Sequence, residues 1–277
     1  SFPALMVSRM AAYQEKPGIS IGNIIGSNIA NIGLILGVGA LIFPLEIKAS
    51  WVKREVPFMI IVTAIFIAMA YGDGVISQIE GVVLICLLIL FISYLAKYTL
   101  KEMGEFQELL ELQEQAGEEV NAPKTADRWR YLGFALVGTV VLLAGSQLTV
   151  DSATTLATKL GVSDSMIGLT LVAFGTSLPE LATTIVSAMR KEVDLAVGNV
   201  IGSNIFNLTL VGGVTSLIRP LPTATGGAAI STEFALLASL SLIIWPMLRW
   251  RWNIQRVEGA ALLFFYLCFI FFTTFGM

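Results

Sequence analysis

SFPALMVS at residues 1–8 and GNIIGSNIANIGLILG at residues 22–37 occur again as SLPELATT at 177–184 and GNVIGSNIFNLTLVGG at 198–213. The two copies lie 176 positions apart and align without a gap from Ser1 to Leu45 and from Ser177 to Leu221, with 19 identities in 45 pairs. Many of those identities are Gly, Asn, Ser and Pro set among apolar residues, types that weaken a helix. A role other than helix stability is expected for them.

The surrounding chain is membrane-like. Mean hydropathy is +0.80, and 56% of the 277 residues are hydrophobic against 13% charged, outside the range of an ordinary soluble domain. Apolar runs near 19–43, 56–72, 75–96, 130–150, 165–189, 195–218, 230–248 and 257–276 are each near the roughly 20 residues a span requires. Residues 1–13 read as the end of another, giving eight full spans and one fragment. Lipid offers the backbone no partner, and the runs lack the alternation of barrel strands, so the expected fold is an all-α polytopic membrane protein. Cys86 and Cys268 show no pairing or ligand spacing, and histidine is absent. Imidazole relays and His-ligated metals are thereby excluded, and no nucleophile–base pair suggests an enzyme. Chemistry must come from carboxylates, amides, hydroxyls and backbone carbonyls.

If residues 102–128 are cytoplasmic, thirteen Lys and Arg lie inside and three (Lys16, Lys159 and Arg219) lie outside, with Arg9 alone within a span. That bias follows the positive-inside rule and supports the span boundaries. The duplication continues beyond Leu45: Glu55 and Glu80-Gly81 match Glu233 and Glu258-Gly259 at an offset of 178, after a two-residue insertion near 222–230. The chain divides into a first repeat at 1–101, an acidic linker at 102–128 with a short amphipathic helix at 102–115, and a second repeat at 129–277. Five spans separate equivalent positions, so the repeats have inverted topology. The leading segment 130–176 has no counterpart in the first repeat, from which an N-terminally incomplete first repeat is expected.

In GTSLPE, Thr176 and Glu180 sit four residues apart on one helical face, with Pro179 between them. Pro removes a backbone donor, so carbonyls near Ala173 and Gly175 are expected to lose partners and turn toward a cation. An ionisable group at membrane depth is costly and reads as functional. Ser203 and Asn207 share a face in the next span, with Gly202 expected to admit a close neighbour, and Ser27, Asn31 and Gly26 repeat the arrangement. Four helices would then present Ser1, Ser27, Asn31, Thr176, Ser177, Glu180, Ser203 and Asn207, an oxygen-only set suited to Na⁺ or Ca²⁺. Asn23, Asn28, Asn199 and Asn204 either ligate or brace broken turns.

The paired GTSLPE and G-N-x-x-G-S-N-I-x-N motifs in inverted repeats closely resemble the α-repeats of the sodium/calcium exchanger family within the cation/Ca²⁺ antiporter superfamily, in a prokaryotic-type member. The resemblance covers nearly the whole chain. It implies a complete fold of ten helices with the second, third, seventh and eighth forming the ion site. It also implies a metal site of Glu180, Thr176, Ser177, Ser203, Asn207, Ser1, Ser27 and Asn31, with Ala173 and Thr176 contributing carbonyls. A Na⁺/Ca²⁺ antiporter of the inner (plasma) membrane follows, with inorganic cations and the bilayer as partners, no nucleic acid and no cofactor. The family usually has an acid at both repeat positions, whereas here Glu180 is matched by Ala4. That leaves open a proton-coupled cation antiporter and a non-transporting membrane protein of the same fold. Arg9, about 7.5 Å beyond Ala4 along the helix, either snorkels to the interface or brings a fixed charge toward Glu180.

Overall fold

The computed structural model describes residues 1–46, 52–115, 125–159, 161–223, 228–251 and 253–275. Among them run ten helices: α1 (Phe2–Tyr13), α2 (Pro17–Ile42), α3 (Glu55–Gly72), α4 (Gln78–Gln115), α5 (Thr125–Lys159), α6 (164–176), α7 (Leu178–Met189), α8 (Val193–Ile218), α9 (Ala228–Arg251) and α10 (Arg256–Phe275). Six of these are long and apolar enough to cross a membrane, and the bent pair α6–α7 makes a seventh. The eighth expected span, 130–150, falls within α5, whose apolar stretch Arg130–Gly145 is shorter. The short linker helix expected at 102–115 is the continuation of α4 itself, and residues 116–124 of the linker lie outside the described residues.

Burial sorts the helices by role. The apolar windows of α2 and α8 are 83% and 67% buried, whereas those of α3, α4, α9 and α10 are 39% or less. The two helices carrying the G-S-N repeats therefore form the centre, and the more uniformly apolar ones surround them and face lipid. Side chains such as Ile79, Leu90, Leu100, Phe264 and Phe272 are exposed on that outer surface, where hydrocarbon solvates them.

The internal duplication is written into the backbone. Glu15 and Lys191, 176 positions apart, both adopt φ of 61°. Each closes a helix C-terminus the same way: Lys16 N–H donates to Ala11 O at 2.9 Å, and Glu192 N–H donates to Ser187 O at 2.8 Å. An all-helical chain was expected, yet four two-residue strands appear: β1 (Leu45–Glu46), β2 (Val75–Ile76), β3 (Leu221–Pro222) and β4 (Asn253–Ile254). They pair across the repeats as β1–β4 and β2–β3, with Leu45 opposite Ile254 and Ile76 opposite Leu221. A two-fold operation exchanges the two ladders, since β1 maps onto β3 and β2 onto β4.

Matched glycines supply the close helix crossings. A Cβ on Gly81 would lie 2.9 Å from Gly213 O, and one on Gly259 would lie 2.8 Å from Gly37 O. Gly37 and Gly213 are repeat mates, as are Gly81 and Gly259, so α4 crosses α8 as α10 crosses α2. The adjoining acids cap the same helices: Ser77 N–H donates to Glu80 Oε2 at 2.7 Å, and Gln255 N–H donates to Glu258 Oε2 at 2.7 Å. Gly81 and Gly259, and the acids before them, thus serve packing and capping, and of the identities in the 45-residue stretch Gly37 and Gly213 serve packing too. Outside the spans, the Arg219 guanidinium bonds Glu15 Oε1 at 2.8 Å and holds that carboxyl below its ordinary range.

Candidate functional site

The site is built where regular helix fails. Between α6 and α7 the axis bends by 49° at Ser177, and Pro179 follows as the second residue of α7, where it has no N–H to donate. In both α2 and α8 the α-helix gives way to π-helix, at Asn31–Leu36 and Asn207–Val211, so each irregular turn starts on a repeat-equivalent asparagine. A further π turn occupies Gly168–Val172 in α6. Such turns redirect side chains and backbone groups away from the i→i−4 ladder and are common at functional sites.

Three groups of polar contacts tie these breaks together. Glu180 is 5% exposed, and its Oε1 meets the amino group of Ser1. Ser1 Oγ in turn donates to Ser203 O at 3.4 Å, joining α1, α7 and α8. On the other side Thr176 Oγ1 donates to Asn23 Oδ1 at 2.8 Å, and Ser27 Oγ lies 3.2 Å from the same oxygen and 3.4 Å from Thr176 Oγ1. Between them Asn31 Nδ2 donates to Asn204 Oδ1 at 3.0 Å, linking α2 directly to α8.

Asn23 and Asn199 are braces. Asn23 Nδ2 donates to Ala4 O at 3.1 Å and Ser8 Oγ at 2.8 Å, while Asn199 Nδ2 donates to Glu180 O at 3.1 Å and Thr184 Oγ1 at 3.2 Å. Each asparagine therefore clamps its neighbouring helix at the same pair of positions. Ser8 and Thr184 were not among the expected site residues, although both being hydroxyls at an offset of 176 was a usable signal. Asn28 Nδ2 bonds Ile24 O within its own helix, and Asn204 Nδ2 reaches Met59 Sδ at 3.5 Å.

After these bonds, four buried side-chain oxygens of the region have no hydrogen-bond partner: Glu180 Oε2, Asn28 Oδ1, Asn31 Oδ1 and Asn207 Oδ1. Orphaned acceptors are costly in a dry interior, and acceptors alone match a cation. Ser177 is buried at the bend. The carbonyl of Ala173 differs from expectation. It accepts Ser177 N–H at 3.2 Å and Thr176 Oγ1 at 3.3 Å, because the break falls one turn later, at Ser177 itself.

One other expectation is corrected. Gly26 does admit a close neighbour, since a Cβ there would lie 2.3 Å from Leu169 O, but nothing lies within 4 Å of the Cβ position of Gly202. Gly202 instead lines a cavity of about 380 Å³ together with Ser1, Asn199 and Ser203. Arg9 is exposed, with its guanidinium 5.9 Å from the ring centre of Tyr13, as the snorkelling alternative requires.

Comparison with known proteins agrees with this architecture. The family model described as sodium/calcium exchanger protein matches residues 1–97 and 130–275. The chain belongs to the sodium/calcium exchanger family. Sodium/calcium exchanger MaX1 of Methanosarcina acetivorans is 32% identical over 296 residues, covering 98% of this chain and 84% of the relative. Inner membrane protein YrbG of Escherichia coli (strain K12) is 35% identical over 263 residues, covering 95% of this chain and 78% of the relative. The sodium-calcium exchanger NCX_Mj, in a structure soaked with Na⁺ and Sr²⁺, superposes with a TM-score of 0.76 at 33% identity, covering 98% of this chain and 81% of that one. This family member is thus an integral membrane transporter of inverted-repeat architecture.

Proposed function

We propose that the chain is a secondary active antiporter that exchanges Na⁺ for Ca²⁺ or a related cation by alternating access, through one intramembrane site centred on Glu180. The observation that carries this reading is the set of buried oxygens with no hydrogen-bond partner, at Glu180, Asn28, Asn31 and Asn207, set where α2, α7 and α8 meet. Around them Thr176, Ser177, Ser203, Ser27 and Ser1 supply hydroxyls, and Thr176 supplies a carbonyl. Carboxylate, amide and hydroxyl oxygens are the ligands that hard cations take. Family membership and the names borne by MaX1 and NCX_Mj support the ion pair. Coupling follows from competition: two cations that both need the Glu180 carboxylate cannot occupy it together.

The chain is read as two exchanger repeats, 1–101 and 129–277, joined by a cytoplasmic linker at 102–128. The basic-residue bias and the name of YrbG support an inner-membrane location with that linker inside. The test is the driving ion. In proteoliposomes an imposed Na⁺ gradient should drive cation counterflow in the absence of a pH gradient. Flux that responds to a pH gradient alone would overturn Na⁺ coupling.

A further inference from the structure

Ala4 stands in the two-fold position of Glu180, and the residues and contacts that fix the backbone there are shared. Ser1, Pro3, Leu5 and Ala12 of α1 equal Ser177, Pro179, Leu181 and Ala188 of α7. The backbone is clamped identically, with Asn23 on Ala4 O and Asn199 on Glu180 O, both at 3.1 Å. Residue 4 is therefore held where a second carboxylate would enter from the opposite half. Ala4 is 2% exposed, so the place is closed by packing. No group of three or more His, Cys, Asp or Glu that could hold a metal exists among the described residues.

The charge count of the cluster is consequently low. Of the four orphaned oxygens, one belongs to a carboxylate and three to neutral amides. The other polar side chains of the cluster are hydroxyls and amides. Glu180 is its one carboxylate, so the cluster carries at most a single negative charge. One negative charge does not balance a divalent ion at a buried carboxylate.

We infer that the ion accommodated at this site is a monovalent alkali cation, one per Glu180 carboxylate, and that Ca²⁺ is a weak ligand until a second carboxylate is supplied at position 4. This rests on the reading of Glu180 as the centre of the site. The three amide oxygens favour an alkali cation over a proton, because protonating Glu180 would leave Asn28, Asn31 and Asn207 unsatisfied.

The test is equilibrium binding of ²²Na⁺ and ⁴⁵Ca²⁺ to the purified full chain in nanodiscs, for wild type, Ala4→Glu, Ala4→Gln and Glu180→Gln. Wild type should bind ²²Na⁺ saturably, displaced by Li⁺ or Na⁺ at far lower concentration than by Ca²⁺. Ala4→Glu should raise Ca²⁺ affinity by about tenfold or more, since a second full charge acts at short range, while the isosteric Ala4→Gln should not. Wild-type Ca²⁺ binding that outcompetes Na⁺, or equal Ca²⁺ affinity in Ala4→Glu and Ala4→Gln, would overturn the inference while leaving Glu180 in place. If ²²Na⁺ binding in wild type is replaced by proton uptake alone, the inference also fails. Binding of either ion that survives Glu180→Gln would instead refute the site itself. Should Ala4→Glu not fold, the wild-type competition still decides.

Discussion

Gly26 and Gly202 are the same residue in the two copies of the motif, yet they meet different surroundings, and alanine substitution should separate them. At Gly26 the added Cβ would lie 2.3 Å from Leu169 O and 2.7 Å from the Cβ of Ala173. A carbon needs about 3.3 Å from an oxygen, so α2 and α6 must part by about 1 Å. That displacement would stretch the Thr176 to Asn23 bond from 2.8 Å beyond hydrogen-bond reach. At Gly202 nothing lies within 4 Å. Both changes gain the same helix propensity, so their difference isolates the overpacking, about 1–3 kcal/mol for one inserted methyl. For a chain of this size that corresponds to roughly 2–10 °C in melting midpoint. Differential scanning fluorimetry of the detergent-purified variants should place Gly26→Ala below Gly202→Ala by that margin. Na⁺-gradient-driven flux should fall in the first and persist in the second. Equal midpoints, or a lower one for Gly202→Ala, would refute the packing asymmetry.

The braces give a second test. Asn199→Ala removes two part-buried bonds and should cost about 1–3 kcal/mol, whereas Asn23→Ala should cost more, because its bonds are buried and its Oδ1 also receives Thr176 and lies against Ser27. Thermal midpoints of the two single variants check the order. The caps give a third: Glu80→Ala and Glu258→Ala should each destabilise by about 0.5–2 kcal/mol, leaving the ratio of Na⁺ flux to protein folded unchanged.

The amino-acid sequence carried the membrane fold because period and composition are local properties: the runs at 56–72 and 195–218 fall almost residue for residue on α3 and α8. The duplication was legible for the same reason, as a fixed offset that needs no knowledge of contacts. Partner choice was less accessible. Gly37, Gly81, Gly213 and Gly259 could be seen as matched, but only the crossing geometry shows that each pair excludes a Cβ. From the motif alone Asn23 and Asn199 admit either ligation or bracing, while Asn31 and Asn207 read as ligands. They differ because one pair points its nitrogen at a neighbouring backbone while the other keeps a carbonyl oxygen without a partner. Gly202 misled because the repeat predicts a helix beside it, and the described residues place a cavity there. Arg9 stayed open between two readings because sequence distance from Ala4 gives axial position but not the face; the structure leaves it exposed beside Tyr13.

The account stands on Glu180 being the carboxylate at which transported ions compete. Ion counterflow through proteoliposomes holding wild type or Glu180→Gln, each checked for a monodisperse, folded population, measures this most directly. Loss of Na⁺-gradient-driven cation flux in Glu180→Gln with the fold retained is the predicted result. Flux at the wild-type rate in the folded variant would contradict it.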